Sequence, residues 1–142
     1  MSDLQQRIID LAKGPRLLNL ATVTEDGKPW VRYVTGKIDE GLSIRFSTRL
    51  DSDKVRHMRG NQNVHVTLGE KDVMKAKRWL QIEGTAEIST AQAERDAFWH
   101  DGLKAIFKGP DDPNYGVVSI NPCRIELGSL GSPAPEVWQP EE

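Results

Sequence analysis

Four polar residues that could bind an anion stand on or just after two neighbouring strand-like segments. Arg32 lies within the apolar run 30–34, and Ser47, Thr48 and Lys54 follow along the next such run. An arginine, two hydroxyls and a lysine that lie close together can hold a phosphate group through charge-assisted hydrogen bonds. The sequence therefore suggests a local phosphate pocket, and in a small β-rich domain such a pocket suggests a bound nucleotide cofactor.

Arg32 has a competing explanation that needs no ligand. In a regular strand over 30–38, every second side chain points the same way, so that Arg32 shares a face with mostly apolar neighbours. An unpaired charge there would cost several kcal/mol, so its partner must be a carboxylate or an anionic ligand. Glu83 and Glu87 are the candidate carboxylates, and on spacing alone the internal ion pair and the bound phosphate stand equal.

The hydroxyls also have two explanations. Ser47 and Thr48 stand where a strand ends, and Lys54 falls in the first turn of the following predicted helix, whose dipole would add to the attraction for an anion. Asp51 and Asp53 would repel a phosphate unless they face outward. From composition and spacing alone, a role for these residues in the turn and helix cap is favoured over a role in binding.

Composition limits the classes of function. The chain has 142 residues and a net charge of −2, which fits one domain and argues against a broad basic surface for nucleic acid or membrane. A single cysteine excludes an internal disulfide, and the three histidines show no metal-ligand spacing, so we expect no metal site. The sequence shows neither a signal peptide nor an apolar span, so we expect a cytoplasmic protein.

The pattern of apolar residues and turn residues predicts short strands with few helices. Predicted helices cover 2–13, 52–58 and 91–107, the last being the longest, and predicted strands cover 17–23, 30–38, 42–47, 64–68, 79–88, 115–120 and 123–130. Asn121-Pro122 is expected to separate the last two strands, and residues 131–142 form a proline-rich tail. About six antiparallel barrel strands in one domain over 1–142 are favoured, because a parallel sheet would need repeated helical crossovers.

The order of several short motifs resembles that of a known family, the FMN-binding split-barrel proteins related to pyridoxamine 5′-phosphate oxidase, and within it the general stress protein 26 branch. The resemblance covers about residues 4–130. The motifs that carry it are Leu20-Ala21-Thr22-Val23, Val31-Arg32-Tyr33-Val34, Phe46-Ser47-Thr48 with Ser52 and Lys54, Asn61-Gln62-Asn63-Val64, and Gln81-Ile82-Glu83-Gly84-Thr85-Ala86.

The resemblance implies a cofactor, a set of binding residues and an assembly. It implies that the FMN phosphate is bound by Arg32, Ser47, Thr48 and Lys54. The backbone around Tyr33 and Val34 would run along the flavin ring, Lys37 would lie near the ring or substrate, and Trp79 would replace a glutamine that contacts the flavin in relatives. It further implies a homodimer with the flavin sites between subunits and a small-molecule or nicotinamide nucleotide substrate.

The sequence departs from the oxidases themselves. It ends in 136–142 without the C-terminal arginine and histidine that bind the pyridoxal substrate, and 91–107 lacks their serine-arginine-proline segment. We therefore expect an FMN-binding oxidoreductase with another substrate, and no side chain stands out as its acid or base. The alternatives are a non-catalytic flavin-binding stress or sensor protein and a deazaflavin-dependent reductase. Trp138 could cover a partner's flavin or pin the tail to the barrel.

Overall fold

A computed structural model describes residues 1–70 and 72–141 of the chain. Its three α-helices are α1 (Asp3–Leu11), α2 (Asp53–Gly60) and α3 (Gln92–Phe98), and a 3₁₀ helix spans Asp101–Ala105. Its strands are β1 (Arg16–Val23), β2 (Pro29–Ile38), β3 (Ile44–Arg49), β4 (Asn63–Gly69), β5 (Arg78–Ser89), β6 (Tyr115–Ser129) and β7 (Glu136–Trp138). None of the helices in these residues is long and apolar enough to cross a membrane.

Six of the strands form a closed antiparallel barrel, as the sequence predicts. Their order is β3-β2-β1-β4-β5-β6, and pairing of β3 with β6 closes the barrel. Alternate residues of each strand point inward and bury an apolar core, with Leu20, Phe46, Val66 and Ile82 among its fully buried members. The predicted fold, a mainly β split barrel with flanking helices, is confirmed.

The predicted break between the last two strands is wrong, because β6 runs through Pro122 without interruption. The pairing with β5 shifts at Glu83/Gly84, where Gly84 faces Pro122 and Glu83 faces Arg124. Cys123 is the additional residue of this bulge. The bulge accommodates a proline, which has no N–H to donate, and lets the strand continue. The close approach requires glycine at 84, since a Cβ there would lie 2.7 Å from the carbonyl oxygen of Asn121.

The predicted long helix over 91–107 is also wrong. Helix α3 ends at Phe98, and Trp99 and His100 adopt extended backbone angles before the 3₁₀ helix begins. The break lets the Trp99 ring pack edge-on against Tyr115, at 5.5 Å between ring centroids. Helical spacing of aromatic residues misled the prediction, because tertiary packing decided how they are buried.

The two ends of the described chain meet at β7, which pairs with β6. Ser2 and Gln5 form a capping box at the start of α1. Arg7 in α1 donates hydrogen bonds to both carboxylate oxygens of Glu136, at 2.5 and 2.8 Å. Trp138 packs against the barrel core of its own chain. The tail is therefore held to the barrel through pairing, an ion pair and an aromatic contact.

Candidate functional site

Arg32 lies half-buried on β2, on the same face as Val34, which packs against the core. Its Nη1 donates to Thr22 Oγ1 at 2.7 Å and to the backbone carbonyls of Trp30 and Leu20 at 3.2 and 3.3 Å. Within residues 1–70 and 72–141, Arg32 forms no ion pair with a carboxylate, although the charge of Asp53 acts on it.

The alternative partners of Arg32, Glu83 and Glu87, lie elsewhere. Both glutamates are exposed on β5, where they alternate with the buried residues Ile82 and Ala86. They therefore point to the outside of the barrel, whereas Arg32 faces the same side as the core. The internal ion pair considered from the sequence is wrong, and the anionic-ligand alternative remains.

His57 and Thr22 complete the surroundings of Arg32. Both are buried, and Nδ1 of His57 lies 2.9 Å from Thr22 Oγ1 and 3.3 Å from Nη2 of Arg32. Thr22 belongs to β1 and His57 to α2, so that three separate elements meet at one guanidinium. Burial lowers the pKa of Arg32, and the charge of Asp53 partly offsets that effect.

Lys54 is the second half-buried cation at this end of the barrel, in the first turn of α2. Its pKa is lowered, first by burial and then by the charges of Arg32 and Arg49, while Asp51 acts in the opposite direction. Lys54 forms no ion pair among the described residues. Two cations that repel each other and lack carboxylate partners form a site suited to an anion.

The two nearby carboxylates are bound to other groups. Asp51 accepts hydrogen bonds from the side chains of Asn114 and Arg49, and both interactions lower its pKa. Asp53 accepts from Arg56 at 2.8 Å, which is the main reason why its pKa is lowered. Because each carboxylate has its own partner, neither closes the space between Arg32 and Lys54 with an ion pair.

Ser47 and Thr48 point to opposite sides of β3. Thr48 is buried, and its hydroxyl lies 3.2 Å from the carbonyl of Arg49 and 3.4 Å from Ser52 Oγ. Ser52 occupies the N-cap position of α2 but makes no side-chain capping bond. The Thr48 side chain thus belongs to the strand–helix turn, and the hydroxyl of Ser47 lies on the other face.

A cavity of about 320 Å³ lies on that other face, between β2, β3 and the 3₁₀ helix. Polar and basic side chains in its lining include Ser47, Lys37 and His100, and apolar ones include Leu103 and Ile106. Lys37 is exposed and, within the described residues, forms no ion pair. The cavity therefore combines an available ammonium group with an apolar wall.

Tyr33 and Trp79 lie on the outer surface of the barrel, away from Arg32. Tyr33 is 70 % exposed on β2, and Trp79 is 38 % exposed near the start of β5, where its indole lies against Gly128. In the strand register, Arg32 lies opposite Leu20, Leu20 lies opposite Val66, and Val66 lies opposite Ile82 on β5. Ile82 stands three residues, or about 10 Å, from Trp79 along that strand. Within one chain, Trp79 therefore does not lie beside Arg32.

The sequence did not single out Thr22 and His57 as residues of the candidate site. Thr22 continues the inward-facing row that contains Leu18 and Leu20, so a hydroxyl in an apolar row could have indicated a polar partner. His57 stands three residues after Lys54, on the same side of a helix. The contact between them joins residues 35 positions apart, which local patterns cannot reveal.

Comparison with known proteins agrees with this architecture. The family model described as pyridoxamine 5′-phosphate oxidase matches residues 4–127. General stress protein 26 of Bacillus subtilis (strain 168) is 32 % identical over 133 residues, which cover 94 % of each protein.

Two solved structures are similar in fold. The crystal structure of general stress protein 26 from Bacillus anthracis str. Sterne has a TM-score of 0.81 and 29 % identity, covering 97 % of this chain and 99 % of that one. A structure described as an F420 reductase has a TM-score of 0.65 and 25 % identity, covering 82 % of this chain and 94 % of that one. The chain thus belongs to the pyridoxamine 5′-phosphate oxidase family, in its general stress protein 26 branch.

Proposed function

We propose that this protein is an FMN-binding oxidoreductase whose phosphate site is formed by Arg32 and Lys54. The observation that carries the proposal is that both cations are half-buried, repel each other and lack ion-pair partners among the described residues. A phosphate dianion would relieve this repulsion and accept charge-assisted hydrogen bonds from both groups. At the end of β3, the Thr48 residue and the backbone of Ser47 would also contact the phosphate.

The flavin ring would extend along β2 from the phosphate site. The backbone at Tyr33 and Val34 would run beside the ring, and Lys37 would stand near the ring or the substrate. The cavity of about 320 Å³ that Lys37 and Ser47 line gives room for one of these groups. When bound, FMN would supply the transfer of hydride or electrons. The residues of this chain would bind and orient the cofactor and admit a small-molecule or nicotinamide nucleotide substrate.

The complete site would need two chains. Val31 and Tyr33 on the outer face of β2 are 64 % and 70 % exposed, and Trp30 at the start of the strand is 61 % exposed, which together leave an apolar surface that a second copy would cover. Trp79 lies away from Arg32 in one chain, so a Trp79 that covers the flavin would come from the partner. We therefore include a homodimer with flavin sites between subunits in the proposal.

FMN uptake tests the proposal directly. The purified protein is stripped of small molecules, titrated with FMN and with riboflavin, and followed by flavin fluorescence. We expect much tighter binding of FMN, because riboflavin lacks the phosphate. Protein that carries no flavin as purified and takes up no added FMN would refute the proposal. Steady-state reduction of bound FMN by a nicotinamide nucleotide would then distinguish a reductase from a flavin-binding protein without turnover.

A deazaflavin-dependent reductase is the second candidate. The observation that favours it is the fold similarity to the structure described as a reductase of that class, at 25 % identity. Both cofactors carry phosphate, so the same basic pair would serve either. Mass spectrometry of the cofactor released on denaturation separates the two candidates, since the released masses differ.

A further inference from the structure

We propose that Thr22 and His57 form a buried relay that positions the guanidinium of Arg32 for a phosphate group. The inference rests on the proposed function, because the group to be bound is the phosphate of the flavin cofactor. Thr22 and His57 would not touch the ligand. They would act through Arg32, as positioning residues.

The directions of the hydrogen bonds follow from the chemistry of the three groups. Arginine only donates, so Thr22 Oγ1 accepts from Nη1 of Arg32 at 2.7 Å. Because arginine cannot accept, the contact of Nη2 with Nδ1 of His57 at 3.3 Å assigns the acceptor role to that nitrogen. The hydroxyl of Thr22, 2.9 Å away, then donates its proton to the same nitrogen. The relay therefore requires the tautomer of His57 that carries its proton on Nε2.

These contacts occupy one side of the guanidinium and leave another side open. Nη1 is bonded to Thr22 and to two backbone carbonyls, and one N–H of Nη2 is directed to His57. Nε forms no hydrogen bond within the described residues, since the bonds of Arg32 come from Nη1 and Nη2. Nε and the second N–H of Nη2 are thus available to donate two parallel hydrogen bonds, the bidentate arrangement that suits phosphate oxygens.

The relay explains why two polar groups are buried beside a cation. Thr22 is 1 % exposed and His57 is 7 % exposed, and within residues 1–70 and 72–141 the side chain of each hydrogen-bonds only to the other and to Arg32. Without the relay, the guanidinium would lose its two side-chain contacts and keep the weaker ones to the backbone carbonyls of Trp30 and Leu20. Holding it in place before binding lowers the entropic cost of capturing an anion.

Matched variants of Thr22 test the relay. Thr22→Val keeps the shape of the side chain and removes the hydroxyl, whereas Thr22→Ser keeps the hydroxyl. We expect Thr22→Val to bind FMN roughly tenfold more weakly, with riboflavin affinity unchanged, and Thr22→Ser to bind FMN like the wild type. Equal FMN affinity in both variants, or an equal loss for FMN and riboflavin, would overturn the relay.

His57 gives a second pair of variants and a measurement on the wild type. His57→Asn can place an acceptor oxygen near the position of Nδ1 and should retain FMN affinity, while His57→Leu should lose about as much as Thr22→Val. Nitrogen-15 NMR of the imidazole in the ligand-free protein at neutral pH should show the proton on Nε2. A proton on Nδ1 would contradict the relay even if every variant failed to fold.

The same variants separate failure of the relay from failure of the proposed function. If the wild type takes up no FMN, the cofactor is wrong, and binding of inorganic phosphate is measured instead by calorimetry. Phosphate binding that is lost in Thr22→Val and kept in Thr22→Ser would still support the relay. Equal phosphate binding by all variants, or none by the wild type, would overturn it.

Discussion

Burial lowers the pKa of Lys54 and the charge of Arg32 lowers it further, although the two residues lie on a helix and a strand, 22 positions apart in sequence. Both cations are half-buried, and neither has an ion-pair partner in residues 1–70 or 72–141. Repulsion between two like charges held close together destabilises the folded state unless a bound anion offsets it. The relationship connects the energetics of the ligand-free chain with the proposed binding of phosphate.

Removing either cation should weaken FMN binding selectively. Arg32→Ala and Lys54→Ala each delete a charge-assisted contact worth about 1.5 to 3 kcal/mol, or roughly a tenfold to hundredfold loss of affinity. Fluorescence titration with FMN and riboflavin should show the loss for FMN alone. Lys13→Ala, which removes an exposed lysine after α1, is the matched control and should bind like the wild type. Unchanged FMN affinity in both site variants would place the phosphate elsewhere.

Lys54 should also control the pH dependence of stability in the ligand-free protein. Its folded-state pKa is lowered, so the unfolded chain binds the proton more tightly, and stability rises with pH between the lowered value and the ordinary value of about 10.4. Lys54→Met should therefore melt above the wild type at neutral pH, with a difference that shrinks as the pH is raised through that window. For a domain of this size, about 1 kcal/mol corresponds to ~4 °C in Tm.

Thermal melts of the wild type and Lys54→Met between pH 7 and about 10.5 measure the difference. Lys13→Met provides the comparison for a lysine that is exposed. Saturating FMN should reverse the order of the two proteins, because only the wild type gains the second cationic contact. A gap between the two Tm values that stays constant or widens with pH would contradict the argument.

The sequence predicted Arg32 as a site residue because alternation along one strand is a local property. It did not predict Thr22 and His57, whose contact depends on where α2 meets the barrel end. The pattern of short strands and turn residues in the sequence predicted the barrel itself. The error at 91–107 arose because Trp99 packs against Tyr115, a contact that helical spacing cannot foresee.

The bulge between β5 and β6 predicts a strong dependence on glycine at position 84. In Gly84→Ala, the new Cβ would lie 2.7 Å from the carbonyl oxygen of Asn121 and 2.9 Å from Ile120, so the strands must separate, at a cost of about 1 to 3 kcal/mol. Gly60→Ala is the control, because a Cβ on Gly60 meets no atom within 4 Å. Denaturant unfolding should show a loss of unfolding free energy only for Gly84→Ala. Equal stability of the two variants would contradict the steric crowding expected at position 84.

Trp138 should act on stability and not on cofactor binding. Its side chain packs against the core of its own chain, and β7 pairs with β6. Trp138→Ala should cost about 1 to 3 kcal/mol of unfolding free energy and leave FMN affinity unchanged. Glu136→Gln removes the exposed ion pair with Arg7 and should have only a small effect. A large loss of FMN affinity in Trp138→Ala would instead indicate that the indole covers a flavin.

The exposed apolar face of β2 should determine both assembly and cofactor binding. Val31→Glu places a charge on a residue that is 64 % exposed in one chain and that the proposed dimer would bury. Burial of an unpaired carboxylate costs several kcal/mol, so we expect a monomer by light scattering after size-exclusion chromatography. Because the proposed flavin site lies between subunits, FMN affinity should fall together with dimerisation.

Val73→Glu is the matched control for this surface, since Val73 is 85 % exposed and lies in the connection between β4 and β5, outside β2. It should remain dimeric and bind FMN like the wild type. Far-ultraviolet circular dichroism should show that both variants stay folded, because neither residue belongs to the barrel core. If the Val31→Glu variant remained dimeric, the exposed face of β2 would not be part of the interface. A Val31→Glu monomer with unchanged FMN affinity would mean that a single chain holds the whole flavin site, and that Trp79 of a partner is not part of it.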